Sequence, residues 1–242
     1  MQLDPNKRTI VVLTGAGVSA ESGINTFRDA GGLWEGHDVM EVASPDGFRK
    51  NPALVLDFYN QRRSQLKEVE PNQAHKIIAE LEETYNVIVV TQNVDDLHER
   101  AGSSNVVHLH GELKKVRSTG KEDYVIDWEK DCSLGDLCPN GHQLRPHIVW
   151  FGEGVPMLGL AQGIMDVAEI VIIIGTSLQV YPAAGLVGFA PPKAMVFYID
   201  PNPATNWELE NVKNLQLIKE PASVGMEQML SLIHISEPTR PY

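Results

Sequence analysis

An α/β fold with a doubly wound parallel sheet is predicted by three features of this chain. Residues 9–14 form an unbroken β-branched and apolar run, the pattern of a strand covered on both faces. Similar runs recur at 87–90, 106–109, 170–174 and 195–199. Each run ends in small or polar residues: Thr14-Gly15, Thr91-Gln92-Asn93, His110-Gly111, Gly175-Thr176-Ser177 and Asp200-Pro201-Asn202. In open parallel sheets the carboxyl ends of the strands are where ligands bind, so these five ends are expected to meet at one crevice.

After the first strand, Gly15, Gly17 and Ala20 give a G-x-G-x-x-A spacing around Ala16. The first glycine permits a turn, the second lets backbone N–H groups approach a pyrophosphate, and the third small residue lets a helix pack closely. The spacing alone fits a structural turn as well as a dinucleotide site. A hydride-transferring dehydrogenase should also place an acidic residue at the end of a second strand, and Glu35 has the distance but lies in a glycine-rich, loop-like stretch. Hydride transfer is therefore not supported.

Residues 52–67 read as a helix, with Asn51 as its cap, Pro52 in the first position, and Leu54, Phe58 and Leu66 as apolar contacts. Residues 73–83 read as another, with Ala74, Ile77, Ile78 and Leu81 at helical spacing. Residues 113–147 are polar, hold both cysteines and show no sustained period, so they read as an inserted lobe. A last helix begins near Ala222. It is expected to stop at about Met229, because residues 230–240 resemble a translated sequencing adapter; residues 230–242 are thus expected to be a non-native, poorly packed tail.

With 242 residues, 43% of them hydrophobic, the chain suffices for one main domain with an insertion. Its 32 acidic and 20 basic residues leave a net charge of −12, which disfavours nucleic acid and anionic membranes as partners and suits cationic peptides or simple solubility. Residues 1–8 lead straight into a strand without a secretory pattern, and the apolar runs are too short to span a bilayer, so a cytoplasmic address is expected. Cys132 and Cys138 are too few for a disulfide framework.

Five blocks carry a family resemblance: residues 15–28 (GAGVSAESGINTFR), 91–98 (TQNVDDLH), 108–113 (HLHGEL), 144–153 (LRPHIVWFGE) and 175–177 (GTS). In order, they resemble the signature blocks of the sirtuins, over about Lys7 to Met229. The resemblance implies a Rossmann-like core with a smaller lobe built from two insertions, here about 30–68 and 113–147 of a catalytic domain at 1–229. It implies NAD-dependent deacylation of protein lysines, with NAD consumed as a co-substrate and nicotinamide, O-acyl-ADP-ribose and free lysine released.

By the same resemblance His110 is the base that activates a ribose hydroxyl, and imidazole titrates in the right range for that task. His108 reads as structural. Asn93 would orient the ribose; Gln92, Val94 and Asp95 would line the nicotinamide pocket, with Asp95 accepting from the carboxamide. On spacing alone the better reading is a capped loop in which Asn93 or Asp95 begins the next helix, and Asp96 is the expected cap. Glu21, Thr26, Phe27, Arg28 and Trp34 match cofactor-binding positions, and Asn25 stands where many sirtuins have proline. Gly175, Thr176 and Ser177 would offer donors to phosphate or ribose, Asp200, Pro201 and Asn202 would bind ribose, and Ala222 would meet adenine.

Tyr59 and Arg62 match the pair that marks sirtuins accepting negatively charged acyl groups such as succinyl, with acetyl still accepted. The alternative is a core-edge tyrosine and a solvated arginine on a basic helix that also carries Arg63. Val149, Trp150, Phe151 and Gly152 would pair with the substrate peptide as an added strand. Sirtuins usually carry a structural zinc on two cysteine pairs, but Arg117-Ser118-Thr119 stands where the first pair begins. No metal site is expected, and the lobe should be held by packing of Tyr124, Val125, Ile126, Trp128 and Leu137.

Overall fold

The structure is a computed structural model that describes residues 3–25, 33–120, 123–204 and 206–236. β1 (Thr9–Thr14) is buried at every residue, as its unbroken apolar run requires. It is followed by the single-turn helix α1 (Gly17–Ala20), the two-residue strands β2 (Leu33–Trp34) and β3 (His37–Asp38), and helices α2 (Val39–Val42), α3 (Pro45–Lys50), α4 (Pro52–Gln65) and α5 (Gln73–Glu80). β4 (Asn86–Thr91), α6 (Leu97–Ala101) and β5 (Val106–His108) return the chain to the main sheet. A second sheet follows from β6 (Gly111–Ser118), β7 (Val125–Asp127) and β8 (Leu144–Ile148). Then come α7 (Leu158–Met165), β9 (Ile170–Ile174), β10 (Met195–Ile199), α8 (Trp207–Glu210), β11 (Leu215–Ile218) and α9 (Ala222–Ser236).

The main sheet is parallel, in the order β11-β10-β9-β1-β4-β5. From β1 the chain moves outward through β4 to β5, then crosses to β9 on the other side of β1. The strand order reverses there, and a crevice opens at such a switch point beyond the carboxyl ends. Alternation along the strands sends Val11, Leu13, Val171 and Ile173 to the face covered by α7, and Ile10, Val12, Ile170 and Ile172 to the face covered by α5 and α9.

α4 begins as its sequence predicts: Pro52 occupies the first turn and the Asn51 side chain accepts from Leu54 N at 3.2 Å. Its apolar side, Val55, Phe58 and Tyr59, packs against Leu97, Leu113, Ile148 and Trp150, which joins the lobe to the core.

Three expectations change. Residues 111–148 form a three-stranded antiparallel sheet rather than an aperiodic insert, in the order β7-β6-β8. The period was hidden because a register shift between Glu112 and Val116 moves the buried positions of β6 from 111 and 113 to 116 and 118. The lobe's apolar cluster contains Leu56, Val116, Cys132, Cys138 and Leu144, flanked by Tyr124, Ile126 and Trp128, whereas Leu137 is exposed. Finally, α9 does not stop at Met229. Met226, Met229 and Ile233 keep intervals of three and four residues and are all buried against the sheet, so the helical period continues to Ser236.

Among the described residues no helix is long and apolar enough to cross a membrane.

Candidate active site

A crevice of about 940 Å³ lies at the switch point, with Gly15, Ala16, Gly17, Ala20 and Glu21 on one wall. The loop after β4 contributes Gln92, Asn93, Val94 and Asp95, the end of β9 contributes Gly175, Thr176 and Ser177, and Asp200, Pro201, Asn202 and Ala222 complete the far end. His110, Trp34, Tyr59, Arg62, Val149, Trp150, Phe151 and Gly152 line the opposite part. Every site residue expected from the sequence and described by the structure therefore meets in one cavity. Thr26, Phe27 and Arg28 lie outside the described residues.

The glycine turn is pressed against the end of β9. Gly17 N donates to Gly175 O at 2.7 Å, and a Cβ on Gly17 would sit 2.7 Å from Gly175 Cα. Gly175 has φ +63°, and a Cβ there would run into Val18 N. Gly175→Ala is expected to cost about 2–4 kcal/mol, the sum of left-handed backbone strain and overpacking. Urea unfolding measures this, and a loss below about 0.5 kcal/mol would show that the turn can move aside.

The loop after β4 is fixed from below. Thr14 Oγ1 donates to Thr91 Oγ1 at 2.7 Å, and Thr91 Oγ1 accepts from Asn93 N at 2.9 Å. Asn93 Nδ2 donates to Ser19 Oγ at 3.2 Å, and Ser19 Oγ donates to Asp95 Oδ2 at 3.0 Å. Asp95 Oδ1 accepts from Leu97 N at 3.2 Å, so Asp95 supplies the side-chain bond to the α6 N-terminus, while Asp96, in the cap position, makes none. Burial pushes the Asp95 carboxyl pKa up, against the pull of the Leu97 and Ser19 bonds. Ser19 was not singled out in the sequence, although a hydroxyl inside the glycine block is the visible signal.

His110 Nδ1 lies 3.1 Å from Gln92 O. A carbonyl only accepts, so Nδ1 carries the proton and Nε2 is the nitrogen available to a ligand. Burial lowers the His110 pKa, with the Gln92 carbonyl opposing. His108 sits on the far side of the same loop, bonded through Nε2 to Glu99 at 2.7 Å and through Nδ1 to Asn93 O at 3.1 Å, which is a structural role. Gln92 Nε2 donates to Thr176 Oγ1 at 3.0 Å and ties the β4 and β9 ends together. Glu21 accepts from Ser223 N at 2.8 Å, at the start of α9, and Asp200 Oδ1 accepts from Asn202 N at 2.9 Å.

On α4, adjacent arginines have opposite surroundings. Arg63 is buried and clamped, its Nε donating to Leu113 O and its Nη1 to Asn60 Oδ1, both at 2.8 Å, with Nη2 buried and without a hydrogen-bond partner, so it is not a mark of a solvated basic face. Arg62 faces the crevice with Nε and Nη1 buried and without a hydrogen-bond partner. Its guanidinium lies 5.0 Å from the Phe58 ring centroid. Tyr59 is fully buried and its hydroxyl accepts from Trp150 Nε1 at 3.0 Å. Burial raises the phenol pKa, so Tyr59 keeps its own proton for a ligand. Trp150 is itself clamped: its N–H donates to Glu153, which also takes Arg117 and Arg145, and Arg145 stacks 3.6 Å from its ring centroid.

Residues 149–152 do not continue β8. They form a turn closed by Glu153 N donating to Trp150 O, and the N–H groups of Val149 and Phe151 donate to His110 O and Ala43 O. The N–H groups of Val149, Trp150 and Phe151 are thus taken within the protein, and a peptide strand laid beside this segment would have to pair through its other backbone groups. Gln179, Tyr181 and Glu35 also line the crevice and were missed as site residues, being single polar or aromatic residues in loops.

The cysteines do not fit a zinc site. Cys132 lies in the apolar cluster with its thiol pushed up to about 11 by burial, and Cys138 accepts from Ser118 Oγ at 3.3 Å. Among the described residues no group of three or more His, Cys, Asp or Glu side chains is placed to hold a metal.

Comparison with known proteins agrees with this geometry. Residues 15–182 match the model of the Sir2 family. A protein of Helicobacter pylori named NAD-dependent protein deacylase is 60% identical over 223 residues, covering 92% of this chain and 96% of that protein. One of the same name from Bacteroides thetaiotaomicron is 51% identical over 232 residues, covering 93% and 98%. A solved Sir2 homologue in complex with NAD superposes with a TM-score of 0.83 at 38% identity, covering 96% of this chain and 91% of the other, and a mutant Sir2 homologue in complex with ADP-ribose gives 0.85 at 36%, covering 98% and 96%. With its switch-point crevice, its glycine turn and the sequence blocks that line them, the chain belongs to the Sir2 family.

Proposed function

We propose that this protein is an NAD-dependent protein-lysine deacylase that removes acetyl groups and, through Arg62, short acyl groups ending in a carboxylate such as succinyl. The observation that carries the reading is His110, held by Gln92 O with Nε2 free to act, in the same crevice as the glycine turn. The lining suits a dinucleotide: Gly15, Gly17 and Gly175 leave no side chain where the turn and strand end approach, and the Asp200 carboxylate lines the crevice as an acceptor suited to ribose hydroxyls.

Bound NAD supplies a cleavable nicotinamide–ribose bond and a ribose that receives the acyl group. His110 Nε2 takes the proton of the ribose hydroxyl, and the Gln92 carbonyl stabilises the imidazolium that results. Asn93, held by Ser19, orients the ribose, and Asp95 accepts from the carboxamide with the oxygen lone pairs that Ser19 and Leu97 leave over. Trp150 and Phe151 flank the acyl-lysine stem. The partners we propose are acylated proteins or peptides, in the cytoplasm and without nucleic acid, in keeping with the net charge of −12.

Mass spectrometry on matched acetyl- and succinyl-lysine peptides, with and without NAD, tests the proposal. The expected result is free lysine, nicotinamide and O-acyl-ADP-ribose in equal amounts, only when NAD is present. NAD binding without nicotinamide release would instead indicate a binding module.

A further inference from the structure

Arg62 is not alone in its part of the crevice. Glu35 Oε1 lies 4.0 Å from Arg62 Nη1, with the two side chains only 23% and 14% exposed. That is close enough for strong Coulomb attraction yet too far for a hydrogen bond. The carboxylate is held where it is from two directions. Asn25 Nδ2 donates to the same Oε1 at 3.2 Å. Trp34, the preceding residue, packs edge-on against Phe58 and Tyr59 of α4, with ring centroids 4.9 and 6.1 Å apart. Glu35 itself turns the chain between β2 and β3 with φ +51°, a conformation that side chains other than glycine seldom adopt.

From this arrangement we infer that Glu35 is a specificity-determining residue: a resident counter-charge that competes with the carboxylate of an incoming acyl group for Arg62. The inference rests on the reading of Arg62 as the anchor for that carboxylate. A neutral acetyl group meets no such competition, so Glu35 lowers the preference for anionic over neutral acyl chains. Glu35 could in principle help instead, by orienting Arg62. The geometry decides against that, because a group that leaves Nε and Nη1 without hydrogen bonds fixes the guanidinium weakly while still presenting a full like charge to the ligand.

Asn25 has a part in this. By holding Oε1 it keeps the carboxylate from closing on Arg62, so the two residues act in opposite senses. The readout is the ratio of kcat/KM for a succinyl-lysine peptide to that for the matched acetyl-lysine peptide. Glu35→Gln keeps an acceptor for Asn25 and removes only the charge, and it should raise the ratio about fivefold, mainly through KM, an effect that shrinks in high salt. Asn25→Ala should lower the ratio, and should lose that effect when Glu35→Gln is also present. A general disturbance of the turn would move both single variants the same way.

A ratio within twofold of wild type, or a lower one, in Glu35→Gln overturns the inference. Arg62→Met separates the two levels. If it collapses the ratio while Glu35→Gln leaves it unchanged, Arg62 keeps its role and only Glu35 loses the one assigned to it. If Arg62→Met leaves the ratio unchanged, or if neither wild type nor Glu35→Gln removes succinyl from the peptide lysine, both readings fall.

Discussion

His110→Ala is expected to reduce deacetylation and desuccinylation together, by about 10²–10⁴-fold in kcat, the usual worth of a positioned general base. The loss should be common to both acyl groups because the ribose hydroxyl, not the acyl chain, is what His110 deprotonates. NAD binding measured by calorimetry should survive within severalfold, since the glycine turn, the β9 end and Asp200 do not depend on the imidazole. A structural role would forfeit binding and turnover alike, so the split between them is the discriminating readout. The pH profile adds a sign. A base must be neutral to accept a proton, and burial holds the His110 pKa below the ordinary histidine value of 6.5, with only the Gln92 carbonyl pulling the other way. Activity should therefore be on its plateau at neutral pH and fall only as the medium becomes more acid than pH 6.5. A limb in kcat/KM with its midpoint above that value would remove His110 from the role of base.

What the sequence reveals and what it hides follow from the range of the interactions involved. β1, β4 and β9 are legible because a strand buried on both faces needs an unbroken apolar run, and nothing distant is required to recognise one. Gly175 is legible as a strand end, but its contact with Gly17 belongs to chain segments far apart in sequence. The same limit applies on α4. Arg62 and Arg63 are chemically identical neighbours, and only the position of Leu113 and Asn60 makes one a buried clamp bonded through Nε and Nη1 and leaves the same two nitrogens of the other without partners. β6 escaped because one register shift breaks the two-residue period, and Ser19 escaped because its two acceptor and donor partners lie more than seventy residues away. Glu35 was noticed only for its distance from the glycine turn; its approach to Arg62 depends on Trp34 packing against α4.

Arg62→Met is expected to cut kcat/KM for a succinyl-lysine peptide about 10- to 100-fold relative to the matched acetyl-lysine peptide. The magnitude follows from the loss of charge-assisted hydrogen bonds in a half-buried site, worth about 1.5–3 kcal/mol. Methionine keeps an apolar stem over Phe58, where the guanidinium now lies 5.0 Å from the ring centroid, so the change falls on the charge rather than on packing. In the free enzyme the buried Nε and Nη1 lack hydrogen-bond partners, a costly state for a guanidinium that an anionic ligand relieves. Removing the guanidinium also removes that cost, so thermal stability should rise or stay level while the ratio of the two activities collapses. That opposite movement is informative. An arginine kept for structure alone would lower stability on replacement and reduce both activities in proportion, and proportional loss would assign the carboxylate of the acyl group to some other partner in the crevice.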